Sequence, residues 1–455
     1  MKDLFLEPPI MVAVLVFSLI YFVILFKSTK NKKFAAIFEI ITVQVFLFTI
    51  SGANFFPFNR LDPGDIGDPS KGFFSGFILI LVYGLFFILF RGKTRQILSN
   101  FTLLFQQPWL GLYLGLLAFS VFWSENSIVT LKATIGLLFF SIFAVHFARK
   151  YNWQELSQLL RWNSTYIAIY SIFSALFVPT VGICRKGWCG GFGHPIDLGS
   201  IMALGISLWL LNAFANPRYY LRSLVFSSIC FVVMQFTNSA GASLVFMTLI
   251  VLLFFTTFLK KLKFTQAFIV FMVLLSSFGI SSIWLMENFE NFLSFFKKDI
   301  TISGRIPLWN LLLQTSIKEH LWFGYGFNAY WQRWMGSESP ANNVVINIVG
   351  NGRDWVAHAH NGFLDIILNI GVIGLVLFIC LFLINVVRTI RLIIRTKRSE
   401  SFLPLIILTF TFITNLFNSP IIIPSFIWFL FVIVTIRLNN FGYKQLSRAK
   451  LSLNK

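Results

Sequence analysis

Charge is what this sequence has least of. Only 12% of its 455 residues are Asp, Glu, Lys or Arg, against about 25% in an ordinary soluble domain. A chain that is 57% hydrophobic, with a mean hydropathy of +0.78, could not cover itself with polar surface in water. The bilayer is the solvent that removes this difficulty. Period-two alternation is scarce as well. Many of the 57 phenylalanines fall in long apolar runs, which argues against the alternating strands of an outer-membrane barrel. No strongly basic start precedes the first apolar run and no small-residue cleavage site follows it, so no cleavable signal peptide is expected. Acidic residues number 17 against 37 basic ones, for a net charge of +20. No folded basic domain exists to carry nucleic-acid binding. The basic residues instead form short clusters between apolar runs and read as topology signals and anionic-lipid contacts.

A spanning helix needs about 20 apolar residues. Segments meeting this rule fall near 10–26, 34–50, 73–90, 106–123, 129–147, 164–181, 196–214, 221–236, 241–259, 266–285, 362–387, 402–418 and 421–437. The last two flank Asn418-Ser419-Pro420 and are either two short spans or one broken helix. Basic clusters follow every second span, at Lys27–Lys33, Arg91–Arg95, Arg149/Lys150, Arg218/Arg222, Lys260–Lys263 and Arg388–Arg398. The connections between them are acidic, neutral or Gly-rich, such as Asp62/Asp65/Asp68 and Asn238–Gly241. The positive-inside rule then puts the N-terminus outside and the C-terminus inside. The expected fold is an all-α polytopic membrane protein. It comprises spans within 1–285, one large outer loop over 286–360, further spans within 361–440 and a basic cytoplasmic tail over 441–455.

The outer loop is too long to be structureless and is expected to carry function or a small folded cap. It opens on an amphipathic stretch, Phe289 to Lys298, suited to the bilayer interface. Ser303-Gly304-Arg305 precedes Ile306-Pro307-Leu308-Trp309, which reads as a helix start. Gly324-Tyr325-Gly326 is a flexible turn, and Arg333 and Arg353 add guanidinium groups. His358-Ala359-His360-Asn361 closes the loop. Arginine suits phosphate or pyrophosphate oxygens through its planar fork, and histidine can act as acid, base or donor near neutral pH. Both residue types also serve structurally at a membrane boundary, where arginine snorkels to headgroups. The residues alone thus point to a site for an anionic, lipid-borne ligand. Cys184 and Cys189 lie in another outer loop and can close a disulfide in an oxidising compartment, whereas zinc would need more ligands than nearby His194. A transporter is the alternative from physics. Its intramembrane polar groups would include Glu39 and Lys132, but no matching pair of interrupted helices is seen in two halves.

His360-Asn361 followed by Gly371 and Gly374 resembles the signature of the O-antigen ligase and Wzy-type polysaccharide polymerase superfamily. Three further stretches are similar to that family's pattern: Ser120-Val121-Phe122-Trp123-Ser124, Ser303-Gly304-Arg305 with Trp309, and Gly324-Tyr325-Gly326. The resemblance spans roughly 110–380. It implies an inverting, metal-independent glycosyl transfer with no cofactor, at the outer face of a bacterial inner membrane. The donor would be an oligosaccharide on undecaprenyl pyrophosphate and the acceptor another glycan. Arg305 would bind the pyrophosphate and His360 would hydrogen-bond or deprotonate the acceptor hydroxyl. Asn361, also placed on the substrate side, is expected with Gly371 and Gly374 to shape the loop-to-helix junction and close packing. Implied partners are the lipid-linked oligosaccharide, membrane lipids and a chain-length regulator protein. Many family members carry a further Arg at the outer end of a mid-chain span, where this chain reads Thr237-Asn238-Ser239-Ala240-Gly241-Ala242. A second cation for the pyrophosphate would then come from Arg333, Arg353, Arg185 or Lys186. This departure leans toward a polymerase rather than a ligase; a flippase for a lipid-linked sugar is the alternative of another class.

Overall fold

The computed structural model describes residues 32–53, 94–184, 187–259, 262–287, 305–349, 358–396, 398–419 and 423–440. The expected spans 10–26 and 73–90, the amphipathic stretch from Phe289 and the basic tail lie outside the described residues, as do Arg185, Lys186 and Arg353. Each of the other expected spans is a helix. In chain order, helices longer than one turn are α1 (Lys32–Ile50), α2 (Thr94–Phe105), α3 (Pro108–Phe119), α4 (Ser127–Lys150), α5 (Trp153–Phe177), α6 (Pro195–Ala215) and α7 (Tyr220–Phe236). They continue with α8 (Ala240–Leu259), α9 (Phe264–Glu287), α10 (Arg305–Gln314), α11 (Asn342–Val349), α12 (Gly362–Thr396), α13 (Leu403–Asn415) and α14 (Phe426–Asn440). The segments around Asn418-Ser419 are therefore two helices, α13 and α14. Helices prevail because apolar solvent leaves each backbone N–H and C=O to be satisfied within its own segment.

Among the described residues, five helices are long and apolar enough to cross a membrane, or six if Ile97–Phe105 and Pro108–Phe122 are one broken span bent by 97°. The helices are apolar all round, with one face inward and another toward lipid. On α4, Ala133, Leu137, Phe140 and Phe147 are buried while Ile128, Leu131, Ile135 and Phe139 form an exposed stripe. Exposed apolar surface on this scale belongs against acyl chains. Helix α6 is central and packs on α5, α7 and α8. Small residues allow the approach: a Cβ at Gly205 would stand 2.6 Å from Ser164 Cβ, and one at Gly199 would crowd Ala242 Cβ on α8. Buried polar pairs add register, with Trp428 Nε1 donating to Ser141 Oγ at 2.9 Å and Asn385 Nδ2 to Thr435 Oγ1 at 2.7 Å. At the end bearing the Arg149/Lys150 cluster, Arg437 donates to Ala148 O at 2.8 Å and lies over the Trp153 ring. Glu39, a candidate transport group, pairs there with Lys150 and accepts from Tyr151 Oη at 3.0 Å; Lys132 is exposed on α4.

The only strands among the described residues are β1 (Ile183–Cys184) and β2 (Gly187–Trp188), an antiparallel hairpin closed by the Cys184–Cys189 disulfide. Trp188 stacks on Phe236 with ring centroids 4.4 Å apart, so the hairpin sits against the end of α7. The described part of the long connection is a folded cap with its own core. Leu308, Leu312, Ile317, Tyr325, Tyr330, Trp331, Val344 and Val345 cluster with Ala359 and with Leu368 of α12.

Candidate functional site

The cap is locked to the bundle through a break in α12. Helical geometry fails at Ile370 and Gly371, where Gly371 has φ 69° and ψ −174°. The carbonyls released by the break accept from the cap: Tyr325 N–H donates to Leu368 O at 2.8 Å and Gly326 N–H to Asn369 O at 3.0 Å. In the other direction Val372 N–H donates to Leu321 O at 2.9 Å. Buried backbone groups need such partners, so break and turn complete each other. Gly324 has φ 65°, and a Cβ there would stand 2.6 Å from the backbone of Asn369 and Ile370. The Ser120–Ser124 stretch grips the same turn from its other side. Glu125 N–H donates to Tyr325 O at 3.0 Å, Phe327 N–H to Ser120 Oγ at 3.0 Å and Trp123 Nε1 to Phe323 O at 3.0 Å. Three stretches far apart in sequence thus form one scaffold. Gly371 belongs to that mid-helix break rather than to the loop-to-helix junction.

The junction itself is the segment 358–361. Trp309 Nε1 donates to Ala359 O at 2.8 Å, and Ala359 N–H donates to Asp365 Oδ2 at 3.0 Å. Arg305 stands one helical turn before Trp309 on α10, and residues four apart share a helix face. The spacing therefore has a mechanism: the tryptophan pins α10 to the junction and brings the arginine alongside the histidines. The charge of Arg305 bears on His358 in consequence. Arg305 is half-buried at the first residue of α10, where the positive end of the helix dipole adds to its own charge. Burial lowers its pKa from the ordinary arginine value. Such a placement suits an anion.

Asp365, fully buried in the first turn of α12, holds the junction together. It accepts from Trp331 Nε1 at 2.6 Å, from Ala359 N–H and from Ser419 Oγ. The preceding residue, Asn418, donates to Asp197 Oδ1 in the first turn of α6 at 2.6 Å. Consecutive residues after α13 therefore tie the starts of α6 and α12 side by side. His194 caps α6, its Nδ1 accepting from Ile196 N–H at 3.2 Å, and it lies within electrostatic reach of His358. Burial, then Arg305, then His194 pull His358 down to about 4, so it is neutral at pH 7. His358 and His360 pack ring to ring with centroids 4.2 Å apart.

The structure thus packs His358 against His360, with Arg305 and, from a different loop, His194 within electrostatic reach of His358. Asn361 caps α12, its Oδ1 accepting from Phe363 N–H at 3.0 Å and Leu364 N–H at 3.3 Å, the junction-shaping role expected of it. Arg333 is exposed at the start of a 3-10 segment, Arg333–Glu338, that is kinked at Gly336 and whose Met335 Sδ is approached by Asn126 Nδ2 ahead of α4. Arg353 and Arg185 lie outside the described residues. His194 and Asp365 were not legible as site residues, because the contacts that recruit them are between segments distant in sequence. Trp309→Phe keeps the ring and deletes the N–H. Losing one hydrogen bond of about 0.5–1.5 kcal/mol is expected to lower turnover up to about tenfold, measured as product formed per unit of membrane protein. Unchanged turnover would show that the bond does not place Arg305.

An all-α membrane bundle with a folded cap, the cap presenting an arginine and paired histidines at its seam with the bundle, defines the class. The profile of the family described as O-antigen ligase (Wzy_C) matches residues 224–379, about a third of the chain, and over that stretch the chain is similar to this family. The matched stretch contains α7 to α10, the cap and the broken start of α12, and with them Arg305, His358, His360 and Gly371. The curated proteins contain no match to the chain.

Proposed function

We propose that the protein transfers glycan from an undecaprenyl-pyrophosphate-linked oligosaccharide to a glycan acceptor at the outer face of the bacterial inner membrane, as a polysaccharide polymerase. The observation that carries this reading is the Trp309 to Ala359 bond, which ties α10, headed by Arg305, to the junction where His358 and His360 pack ring to ring. The acceptor hydroxyl attacks the anomeric carbon from the face opposite the leaving group, forming the new glycosidic bond with inversion. The bond from that carbon to the pyrophosphate oxygen breaks, and undecaprenyl pyrophosphate leaves with the electron pair. His360 takes the hydroxyl proton, and Arg305 neutralises charge on the departing pyrophosphate. Pyrophosphate is a good leaving group, so positioning and charge stabilisation suffice without a metal. The orientation follows from the alternating basic clusters, which leave the cap on the non-cytoplasmic side.

Polymerase is favoured over ligase by the stretch Thr237–Ala242, which lacks the family's additional Arg. The surroundings of that stretch are filled by packing. A Cβ at Gly187 of the hairpin would stand 2.5 Å from Thr237 O, and one at Gly241 would stand 2.5 Å from Ile196 Cδ1. In the native host, His360→Ala is expected to abolish long-chain polymer while repeat units accumulate on lipid, read on a gel and by lipid extraction. Normal polymer length from a well-expressed variant would sink the reading.

A further inference from the structure

His360 adopts φ 52°, a backbone conformation uncommon for a residue with a side chain. Such a conformation persists where the surroundings over-determine it. The residue before it is fixed at both polar groups, Ala359 N–H on Asp365 and Ala359 O on Trp309. The turn is then closed by the side chain of His358, whose Nδ1 accepts from the His360 N–H at 3.1 Å. The two rings pack edge to face, centroids 4.2 Å apart and planes inclined by 65°. This closure of a side chain on the N–H two residues ahead recurs in the same region, at His194 with Ile196 N–H and at Asn361 with Phe363 N–H. It is the geometry that asparagine adopts in an Asx turn.

We propose that His358 is a positioning residue for glycosyl transfer: its Nδ1, as acceptor, holds His360 in the left-handed conformation from which the His360 ring meets the acceptor hydroxyl. The inference rests on the glycosyl-transfer reading above. An imidazole accepts at Nδ1 only when neutral with its proton on Nε2. Burial first, and then the charge of neighbouring Arg305, keep it neutral. Asparagine carries an oxygen where histidine carries Nδ1, so His358→Asn preserves the acceptor while His358→Ala removes it.

Two measurements on the purified full-length protein test this. The first is amide hydrogen exchange of the peptide containing His360, read by mass spectrometry without any substrate. Protection at the His360 amide is expected in wild type and His358→Asn and lost in His358→Ala. The second is steady-state transfer from undecaprenyl-pyrophosphate-linked oligosaccharide. His358→Ala is expected to lower kcat about 100-fold with the donor KM little changed, and His358→Asn to recover to within several-fold of wild type. Wild-type exchange at His360 in His358→Ala overturns the proposal. So does His358→Asn as inactive as His358→Ala while its His360 amide stays protected, because the imidazole would then act otherwise than as this acceptor. Wild-type protein that releases no undecaprenyl pyrophosphate overturns the transfer reading, and the catalytic purpose of His358 with it. The exchange pattern tests the turn separately.

Discussion

Replacing Arg305 by alanine is expected to reduce glycosyl transfer by about 100- to 1,000-fold, the scale on which a preorganised charge-stabilising donor acts. The guanidinium is half-buried at the start of α10, and Trp309 one turn on is bonded to Ala359. On the proposed mechanism the group is in place before the donor arrives, and its charge is needed most as the pyrophosphate takes up the electron pair. Lysine keeps the charge but not the planar fork, so Arg305→Lys is expected to lie between alanine and wild type. Folding should survive both changes, since the cap core is built by Leu308, Leu312, Tyr330 and their neighbours. The check is undecaprenyl pyrophosphate released per enzyme per minute, with variant protein matched by gel-filtration profile. Release by folded Arg305→Ala at near the wild-type rate would remove Arg305 from the mechanism.

Gly371→Ala is expected to cost most of the folded protein. Gly371 lies in a region of backbone space that is essentially reserved for glycine, and a side chain there costs about 1–3 kcal/mol in strain alone. The clash adds to it, because a Cβ would overlap the Trp322 carbonyl and the Phe323 N–H. Relief would push the Leu321–Gly326 turn off the helix and break the backbone hydrogen bonds that cross this seam. Against a typical total stability of about 5–15 kcal/mol, the combined loss is large. Gly374 offers a control three residues on. A Cβ there meets the Ile370 side chain rather than backbone, and that chain can shift. Monodisperse yield in detergent is expected to collapse for Gly371→Ala and to fall only moderately for Gly374→Ala. Equal yields would mean that the docked break is not structurally required.

The apolar spans were legible because the bilayer imposes one rule on every segment, a long apolar helix. The break in α12 was not, since Gly371 sits in an apolar run indistinguishable from a continuous span. Neither was the origin of α5 at a capping box formed by Asn152 and Glu155, upstream of the expected span at 164. Arg305, His360 and the Gly324–Gly326 turn stood out in the outer loop by residue type, while their roles came from a family resemblance; the structure supplies the contacts that place them. Asp197 and Asp365 lie 168 positions apart, and only the folded chain reveals the Asn418-Ser419 bridge between them. His194 acts on His358 across more than 160 positions of sequence, and spacing carries no trace of such a contact.

The most direct measurement reconstitutes purified protein with undecaprenyl-pyrophosphate-linked repeat units in a chelating buffer, and follows both the polymer ladder and the released lipid. A ladder with stoichiometric undecaprenyl pyrophosphate from wild type, and neither product from His360→Ala, is the expected result. A ladder of equal length and rate from His360→Ala would contradict the account, as would wild-type protein that leaves the lipid-linked donor intact.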